Sequence, residues 1–285
     1  MTHEKIAIIT DSTSDLPLEY TQEHGVYVLP LKVIYPHEEY HDRVDIQPDE
    51  VYSRFPEEIP STSMPAVSEA HEVFQDIQSK GIRKVLAIHI SSGLSGTYGM
   101  VKMVAQEYPD LEIEVVDSKA LSFGLGFLVM TAVKLVAAGY QFSDIVPKIY
   151  AAQKKTKVIF VLKTLEYLKK GGRIGLVSAT LGEFLDLKPI ISINEEGKYF
   201  TLTKVRTRKK SLERLKDIVM ELTGGKLINL AVLNGDAQEE ADQLRASLLA
   251  DKSIKVAENL ASQIGPVMVV HTGPGLIGIS YQEVE

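Results

Sequence analysis

Residues 84–117 read KVLAIHISSGLSGTYGMVKMVAQEYPDLEIEVVD, and this stretch predicts the fold class. Its two ends, KVLAI (84–88) and IEVVD (113–117), are apolar runs typical of buried strands in a parallel sheet. Between them, TYGMVKMVAQEYPD carries apolar residues at helical spacing and stops at Pro109. A strand, a helix and a second strand in succession indicate an α/β fold in which helices cover the sheet.

The same alternation extends toward the N-terminus. KIAIIT (5–10) is another strand-like run, and SEAHEVFQDIQSKG has helical spacing up to Gly81. We therefore expect an N-terminal α/β domain over residues 1–154, with a mostly parallel sheet and helices on both of its faces.

The second half of the chain has a different pattern. KVIFVL (157–162) predicts a strand, and residues 189–205 predict a hairpin that turns at Glu196–Gly197. LINLAVLNG and VMVVHTG predict two more strands, while SLERLKDIVMELTGG and AQEEADQLRASLLAD predict amphipathic helices. We expect a C-terminal α/β domain over residues 155–285 with a mixed sheet and helices. A ligand site is expected where the two domains meet, because sites favour such interfaces.

The composition excludes several classes of protein. The 285 residues include 31 Lys and Arg, 38 Asp and Glu, and no Cys. The net charge of -7 argues against a general nucleic-acid binder, which presents a basic surface. The absence of cysteine excludes disulfides, thiolate metal sites and cysteine nucleophiles, and it fits a cytoplasmic protein. The apolar segment 121–139 contains Lys134 and predicts a buried helix, so we expect no integral membrane segment.

Three kinds of site compete for the SSGLSGTYGM segment that follows the strand. A nucleophile turn, G-x-S-x-G, would use Ser95 with His89 or His271 as the base, but Thr97 stands where the second glycine belongs. A P-loop needs a lysine after its last glycine, and a dinucleotide loop needs G-x-G-x-x-G spacing; the segment has neither. A hydroxyl-lined seat for an anion and a helix cap remain, and this segment alone leaves both open.

Three further polar stretches have a structural and a functional interpretation. HEEYH (37–41) matches H-E-x-x-H, but that zinc motif requires a helix and the preceding VYVLPLKVIYP is strand-like. We therefore expect a polar loop and no metal there. STS (61–63) precedes a predicted helix, and DST (11–13) follows the first strand. Each is interpreted as a helix cap, with a ligand contact as the alternative.

Histidine and arginine supply the remaining candidates. VMVVHTGPGLIG places His271 directly after a predicted buried strand, where the ring either reaches a cleft or bonds local backbone. Arg173 lies just past a predicted helix end in KKGGRIG. KVRTRKKSLERLK (204–216) contains Arg206 and Arg208 and is basic in an acidic protein, as either a solvated face or a docking patch.

In their order along the chain, these segments resemble the DegV family of bacterial fatty-acid-binding proteins. The resemblance rests on ITDSTSDLP, STSMP, SSGLSGTY, VVDSKALSFGLG, LEYLKKGGRIG, KPII, VRTRKK and HTGPGLIG. It covers essentially the whole chain, and the ordered set is more specific than any single motif. One departure is Ala66, at a position after the proline where the family often has serine.

The resemblance implies a two-domain DegV-like fold that buries a long-chain fatty acid between its domains. It implies that Thr62 and Ser95 hydrogen-bond the fatty acid carboxylate, and that His271 and Arg173 support this binding site as further groups. The glycines of LSFGLGFLVM are expected to leave room for the acyl chain. We expect no catalytic residue, no metal, and no cofactor beyond the bound fatty acid.

The implied function is that of a carrier and not of an enzyme. The carrier shields the acyl chain and presents the carboxylate to the catalytic protein of a fatty acid kinase, which forms an acyl phosphate for phospholipid synthesis. Arg173, Arg206 and Arg208 are the candidates for docking that partner. The alternative is a serine-dependent lipid hydrolase or acyltransferase that uses Ser95 and His271. A DNA-associated regulator has only the basic stretch in its favour, and the net charge disfavours it.

Overall fold

The computed structural model describes residues 4–180 and 187–284, and these form ten α-helices and thirteen strands. The strands are β1 (Ile6–Asp11), β2 (Tyr27–Leu29), β3 (Lys32–Ile34), β4 (Glu39–His41), β5 (Ser61–Ser63), β6 (Lys84–His89), β7 (Glu112–Asp117), β8 (Thr156–Val161), β9 (Lys188–Ile193), β10 (Tyr199–Val205), β11 (Leu227–Gly235), β12 (Lys255–Gln263) and β13 (Leu276–Glu283). The helices are α1 (Leu18–Glu23), α2 (Pro48–Arg54), α3 (Val67–Ser79), α4 (Thr97–Ala105), α5 (Phe123–Ala137), α6 (Phe142–Lys154), α7 (Glu166–Lys170), α8 (Arg208–Thr223), α9 (Gln238–Leu249) and α10 (Pro266–Thr272). Two 3-10 helices span Ser12–Ser14 and Gly175–Thr180.

A four-stranded parallel sheet forms the N-terminal part, in the order β2-β1-β6-β7. The strands β1 and β6 are buried along almost their whole length, which explains their continuous apolar sequences. The helices α3 and α4 cover one face through a cluster that includes Phe74, Ile77 and Val101. The helix α5 packs on the other face. The predicted parallel sheet with helices on both faces is confirmed.

A six-stranded mixed sheet forms the C-terminal part, in the order β10-β9-β8-β13-β11-β12. Its neighbouring strands are antiparallel except for the β11–β12 pair. The helices α8 and α9 cover its outer face over a second apolar cluster that includes Leu215, Ile218 and Leu248. The predicted mixed sheet and its β9–β10 hairpin are confirmed. The sequence pattern does not indicate β12, because this edge strand is only partly buried.

The helix α5 lies between the two large sheets and contacts β1, β6, β8 and β13. Its N-terminal half is entirely buried, which explains why it is apolar on every side. A Cβ at Gly124 would lie 2.4 Å from Val158 Cγ2, and one at Gly126 would lie 2.8 Å from the Ser14 carbonyl oxygen. The expected room for an acyl chain at these glycines is therefore wrong, since they serve close packing. No helix in the two described ranges is long and apolar enough to cross a membrane.

The helix α10 crosses from the C-terminal part to a small antiparallel sheet, β4-β3-β5. It packs on α2, α7, β3 and β5. The strand predicted at VMVVHTG is wrong, because Pro266 opens a helix there and the residues of that helix are buried on all sides. Short buried helices and buried strands have the same apolar pattern. His271 therefore lies in the last turn of a helix.

The structure shows which elements three of the polar stretches belong to. STS (61–63) is the strand β5 and not a cap; the cap of α3 is instead made by Glu69, whose Oε2 accepts from the Ala66 N–H at 2.5 Å. HEEYH ends in the strand β4, so its histidines do not share a helix face. The predicted cap at DST is confirmed, since Asp11 Oδ1 accepts from the Thr13 N–H at 3.1 Å.

The strands of the parallel and small sheets precede residue 118, and those of the mixed sheet follow residue 155. The helix α5 joins the two sheets by packing between them, and α10 returns from the second part to the first. The division into domains 1–154 and 155–285 stays a prediction.

Candidate functional site

A cleft of about 260 Å³ lies where α10, β5, the loop after β6 and the start of β10 meet. It contains all four residues expected to bind a carboxylate. Its lining consists of Leu31, Thr62, Ser63, Met64, Ile90, Leu94, Ser95, Gly96, Leu121, Arg173, Tyr199, Val267, Met268, His271 and Thr272. The cleft is thus built from segments that are far apart in the sequence.

Thr62 and His271 form the central polar pair of the cleft. Thr62 Oγ1 lies 2.8 Å from His271 Nε2, although the two residues are 209 positions apart. The strand β5 presents the hydroxyl, and the last turn of α10 presents the ring. Gly171 packs directly against that ring, since a Cβ at position 171 would lie 2.1 Å from Nδ1. The ring is held between this backbone and the Thr62 hydroxyl.

The His271 ring is neutral at pH 7. Burial, with the Arg173 guanidinium as the second cause, lowers the pKa of His271 to about 4. Its Nδ1 atom is buried and has no hydrogen-bond partner among the described residues. In this environment the ring acts through hydrogen bonding and not through charge.

Ser95 lies on the loop between β6 and α4 and lines the same cleft. Its Oγ is 2.9 Å from Thr97 Oγ1 and accepts from the Thr97 N–H at 3.3 Å. Ser95 therefore caps the start of α4 and also lines the cleft, so the two interpretations left open by the sequence are compatible.

The two candidate bases for a serine nucleophile have other partners. The Nε2 atom of His271 is bonded to Thr62. His89 is fully buried, and its Nδ1 lies 3.0 Å from Asp11 Oδ2. The described residues therefore do not form the serine–histidine pair that a hydrolase uses.

Arg173 supplies positive charge to the cleft. Its Nη1 donates to the Gly171 carbonyl oxygen at 2.8 Å and its Nε donates to the Leu94 carbonyl oxygen at 3.3 Å. It thereby ties the segment after α7 to the loop that carries Ser95. Among the described residues that line the cleft, Arg173 is the one with a formal charge at pH 7. A positive charge beside hydroxyl donors suits an anion.

Arg206 and Arg208 do not line the cleft. They lie beyond the far end of β10, whose first residue is Tyr199, and at about 3.3 Å per residue this places Arg206 about 23 Å from Tyr199 along the strand. Two N–H groups of Arg208 donate to Glu240 at 3.1 and 2.8 Å. Docking at these two residues stays a prediction, and the structure separates them from Arg173.

Inward from the cleft lies a small apolar pocket of about 20 Å³, which is room for about one water molecule. The two spaces share Leu121, Tyr199, Met268 and Thr272. The further walls of the inner pocket come from the residue before α5, the mixed sheet and the segment before α10, through Ser122, Val158, Phe160, Leu233, Ile264, Leu276 and Gly278.

Toward the surface, the cleft opens into a recess of about 600 Å³. Thr62, Arg173 and His271 line both the cleft and this recess. The polar groups therefore stand between an open mouth and an apolar interior. Such an arrangement fits a ligand with one charged end and one apolar end.

Tyr199 is a cleft residue that sequence reasoning misses. Burial raises the pKa of its hydroxyl, and its ring packs edge-on against Phe160 with the centroids 5.2 Å apart. The hairpin before it is held in place by Ser91 Oγ, which donates to the Gly197 carbonyl oxygen at 2.8 Å. This bond fixes β10 against the loop that carries Ser95. A tyrosine in an apolar hairpin gives no signal of a binding role.

The H-E-x-x-H stretch makes local contacts. His41 Nδ1 lies 3.0 Å from Asp45 Oδ2, and its Nε2 lies 2.9 Å from Glu69 Oε1. Over residues 4–180 and 187–284, no group of three or more His, Cys, Asp or Glu side chains is placed to hold a metal ion.

Comparison with known proteins identifies relatives along the whole chain. Residues 5–284 match the model of the DegV family, which is described as a family of uncharacterised proteins. A DegV domain-containing protein of Clostridium acetobutylicum is 40% identical over 277 residues, which cover 97% of this chain and 98% of that protein. One from Clostridium perfringens is 39% identical over 280 residues, with 98% of this chain and 99% of that protein covered.

Solved structures of similar fold include proteins named for their lipid ligands. The fatty-acid-binding DegV family protein of Thermus thermophilus is 34% identical, with a TM-score of 0.91 over 98% of this chain and 99% of that one. A fatty-acid-binding DegV family protein of Streptococcus agalactiae is 32% identical, with a TM-score of 0.91 over 99% and 100%. A stearic-acid-binding protein of Eubacterium ventriosum is 30% identical, with a TM-score of 0.86 over 98% of both chains.

Proposed function

The chain belongs to the DegV family, and from this premise we propose that it binds a long-chain fatty acid, with the carboxylate at Thr62 and Ser95 and the acyl chain in the inner pocket. The observation that carries the proposal is a single cleft with polar groups at its mouth and apolar walls in its depth. A fatty acid has the same division into a charged end and an apolar chain. The fatty-acid ligands of the similar solved structures support the same ligand class.

At the carboxylate end, His271 orients the Thr62 hydroxyl. In the tautomer with hydrogen on Nε2, the ring donates to Thr62 Oγ1 across 2.8 Å and leaves the Thr62 O–H free to donate to a carboxylate. Ser95 supplies a second hydroxyl, and Arg173 supplies the positive charge. Charge-assisted hydrogen bonds of this kind offset the cost of taking a carboxylate out of water.

At the other end, burial of the acyl chain provides most of the affinity. Each buried methylene contributes about 0.8 kcal/mol, so about fifteen of them give roughly 12 kcal/mol before the costs of association and ordering. The inner pocket has apolar walls but a volume of only about 20 Å³, so these walls must move apart to admit the chain. The hydroxyls of Thr62 and Ser95 then determine the orientation in which the fatty acid binds.

We further propose that the protein is a cytoplasmic carrier and not an enzyme. The recess outside Thr62, Arg173 and His271 gives a partner protein access to the carboxylate. A fatty acid kinase would use it to transfer a phosphoryl group from its nucleotide to a carboxylate oxygen, which forms an acyl phosphate for phospholipid synthesis. The carrier itself supplies binding and orientation.

Lipid extraction tests the proposed function directly. Purified protein is denatured and extracted, and the extract is analysed by mass spectrometry; the same protein, stripped of lipid, is then titrated with palmitate. We expect one fatty acid per chain in the extract and saturable binding of palmitate. A protein that is empty and also fails to bind added fatty acids would refute the proposal.

A serine hydrolase or acyltransferase is the second candidate, because Ser95 and His271 line the same cleft. A fluorophosphonate probe separates the two functions, since it labels only an activated serine. The carrier function predicts no labelling of Ser95, with Ser95→Ala as the matched control. Labelling that is lost in Ser95→Ala would favour the enzyme.

A further inference from the structure

The short helix α10 has no capping side chain of its own. Its N-cap is Gly265, whose N–H donates to Asp15 Oδ1 at 2.9 Å, and the N–H of Val267 donates to Asp42 Oδ1 at 3.1 Å. These carboxylates lie 250 and 225 residues earlier in the chain. Two distant acidic residues therefore take the place of a local cap.

Arg43 forms an ion pair with Asp15, and together with Asp42 they surround Gly265 as the Asp15–Arg43–Asp42 cluster. Its Nη2 donates to Asp15 Oδ1 at 2.8 Å and to the Gln263 carbonyl oxygen at 2.7 Å. Ser122 Oγ donates to Asp15 Oδ2 at 2.6 Å. Asp15 and Asp42 are each 1% exposed. Asp15 is paired with Arg43, whereas burial raises the pKa of Asp42 to about 6 and its Oδ2 has no partner among the described residues. The cluster thereby fixes the start of α10 in a defined place.

The cluster lies one helical turn of α10 from His271, which is bonded to Thr62. The helix α10 has only 7 residues, which is too short to hold a position by itself. His271 follows Val267 by one turn, or about 6 Å at about 1.5 Å per residue. If the start of the helix moves, the His271 ring moves with it. The 2.8 Å hydrogen bond between this ring and Thr62 then weakens, because a hydrogen bond requires a short distance and good alignment.

We propose that Asp42 and Asp15 are positioning residues for the carboxylate seat. Through α10 they set the place of His271 against Thr62, and thereby the affinity for a carboxylate headgroup, without touching the ligand. This inference rests on the proposed function, since it concerns the same site. The cluster is expected to affect recognition of the headgroup and not of the acyl chain.

The test compares palmitate with 1-hexadecanol, which has the same chain length and no carboxylate, by calorimetric titration of the full chain. Asp42→Ala removes the acceptor of the Val267 N–H and should weaken palmitate binding about tenfold, with hexadecanol binding unchanged. Asp42→Asn keeps an acceptor oxygen and should restore most of the palmitate affinity. Leu248→Ala, in the apolar cluster under α8 and α9, controls for general loss of stability and should change neither affinity.

A double-mutant cycle separates positioning from a general structural effect. In the His271→Ala background, Asp42→Ala should reduce palmitate affinity little further, because its effect acts through the ring. If Asp42→Ala does not fold, Arg43→Met serves instead, because it removes the Nη2 donor to both Asp15 Oδ1 and the Gln263 carbonyl oxygen next to the start of α10. Equal losses in both backgrounds, or equal losses for both ligands, would overturn the proposal. A wild-type protein that binds no palmitate would overturn the proposed function as well, which is a distinct result.

Discussion

Replacing Thr62 with valine tests the carboxylate seat. Valine keeps the β-branched shape that suits the strand β5 but has no hydroxyl. Thr62→Val therefore removes a donor to the ligand and also the partner of His271 Nε2 at 2.8 Å, with little change in packing. Because His271 Nδ1 already has no partner among the described residues, the ring would then be left without a bond at either nitrogen.

The expected loss follows from the charge on the ligand. One hydrogen bond to a charged group contributes roughly 1.5–3 kcal/mol. At about 1.4 kcal/mol per factor of ten, this weakens palmitate binding about 10- to 150-fold. Burial of the acyl chain is unaffected, so weaker binding should persist. The ligand-free protein is left with an unpaired imidazole nitrogen, which costs about 1–3 kcal/mol, so its Tm should fall by at least about 2–4 °C.

Calorimetric titration measures the effect of Thr62→Val, with two matched controls. Thr62→Ser keeps the hydroxyl and should bind palmitate nearly as tightly as the wild type. Binding of 1-hexadecanol should change much less than binding of palmitate, because its headgroup carries no charge. If Thr62→Val binds palmitate within about twofold of the wild type, a difference of only about 0.4 kcal/mol, the assignment of Thr62 to the carboxylate is refuted.

Four further variants test the rest of the site and its surroundings. Ser95→Ala should weaken palmitate binding by a similar factor without unfolding the protein; an unchanged affinity in the same titration would leave Ser95 as a helix cap alone. Arg173→Ala should lower both the palmitate affinity and the turnover with the partner kinase. Arg206→Glu should lower only the turnover. A loss of palmitate affinity in Arg206→Glu would contradict the placement of Arg206 away from the cleft. Burial lowers the pKa of His271 from 6.5 to about 4, so between these two pH values the unfolded chain binds a proton that the folded chain does not, and the fold loses stability as the pH falls from 6.5 toward 4. The unfolding free energy of the wild type relative to His271→Gln, measured in urea, should therefore fall by about 3 kcal/mol from pH 7 to pH 4; a difference that does not vary with pH would contradict a neutral buried ring.

The α/β class and most of the regular elements can be recognised from the pattern of apolar residues alone. The strands β1 and β6 are covered on both faces, so they must be apolar along their length, and the pattern is readable without the fold. The helices α3 and α4 bury one side only and keep helical spacing. The order of the short motifs, which led to the DegV resemblance, pointed to Thr62, Ser95, Arg173 and His271 as candidates. All four line one cleft.

The helix α10 shows where local pattern is insufficient. Its apolar run is short and buried on every side, so neither a period of two nor a helical period is visible. Its contacts with α2, α7, β3 and β5, and its cap at Asp15 and Asp42, come from distant parts of the chain. The sequence therefore indicated His271 as a candidate but placed it on the wrong kind of element.

Which polar side chains contact each other depends on the three-dimensional packing. It brought Thr62 to His271 across 209 residues, added Tyr199 to the cleft, and paired Arg208 with Glu240 away from it. The side chains on one face of a helix or strand recur with a fixed period. A buried face therefore produces a periodic pattern of apolar residues in the sequence. Which side chains face each other depends on how distant elements pack, and that is the sum of many weak contacts with no local trace.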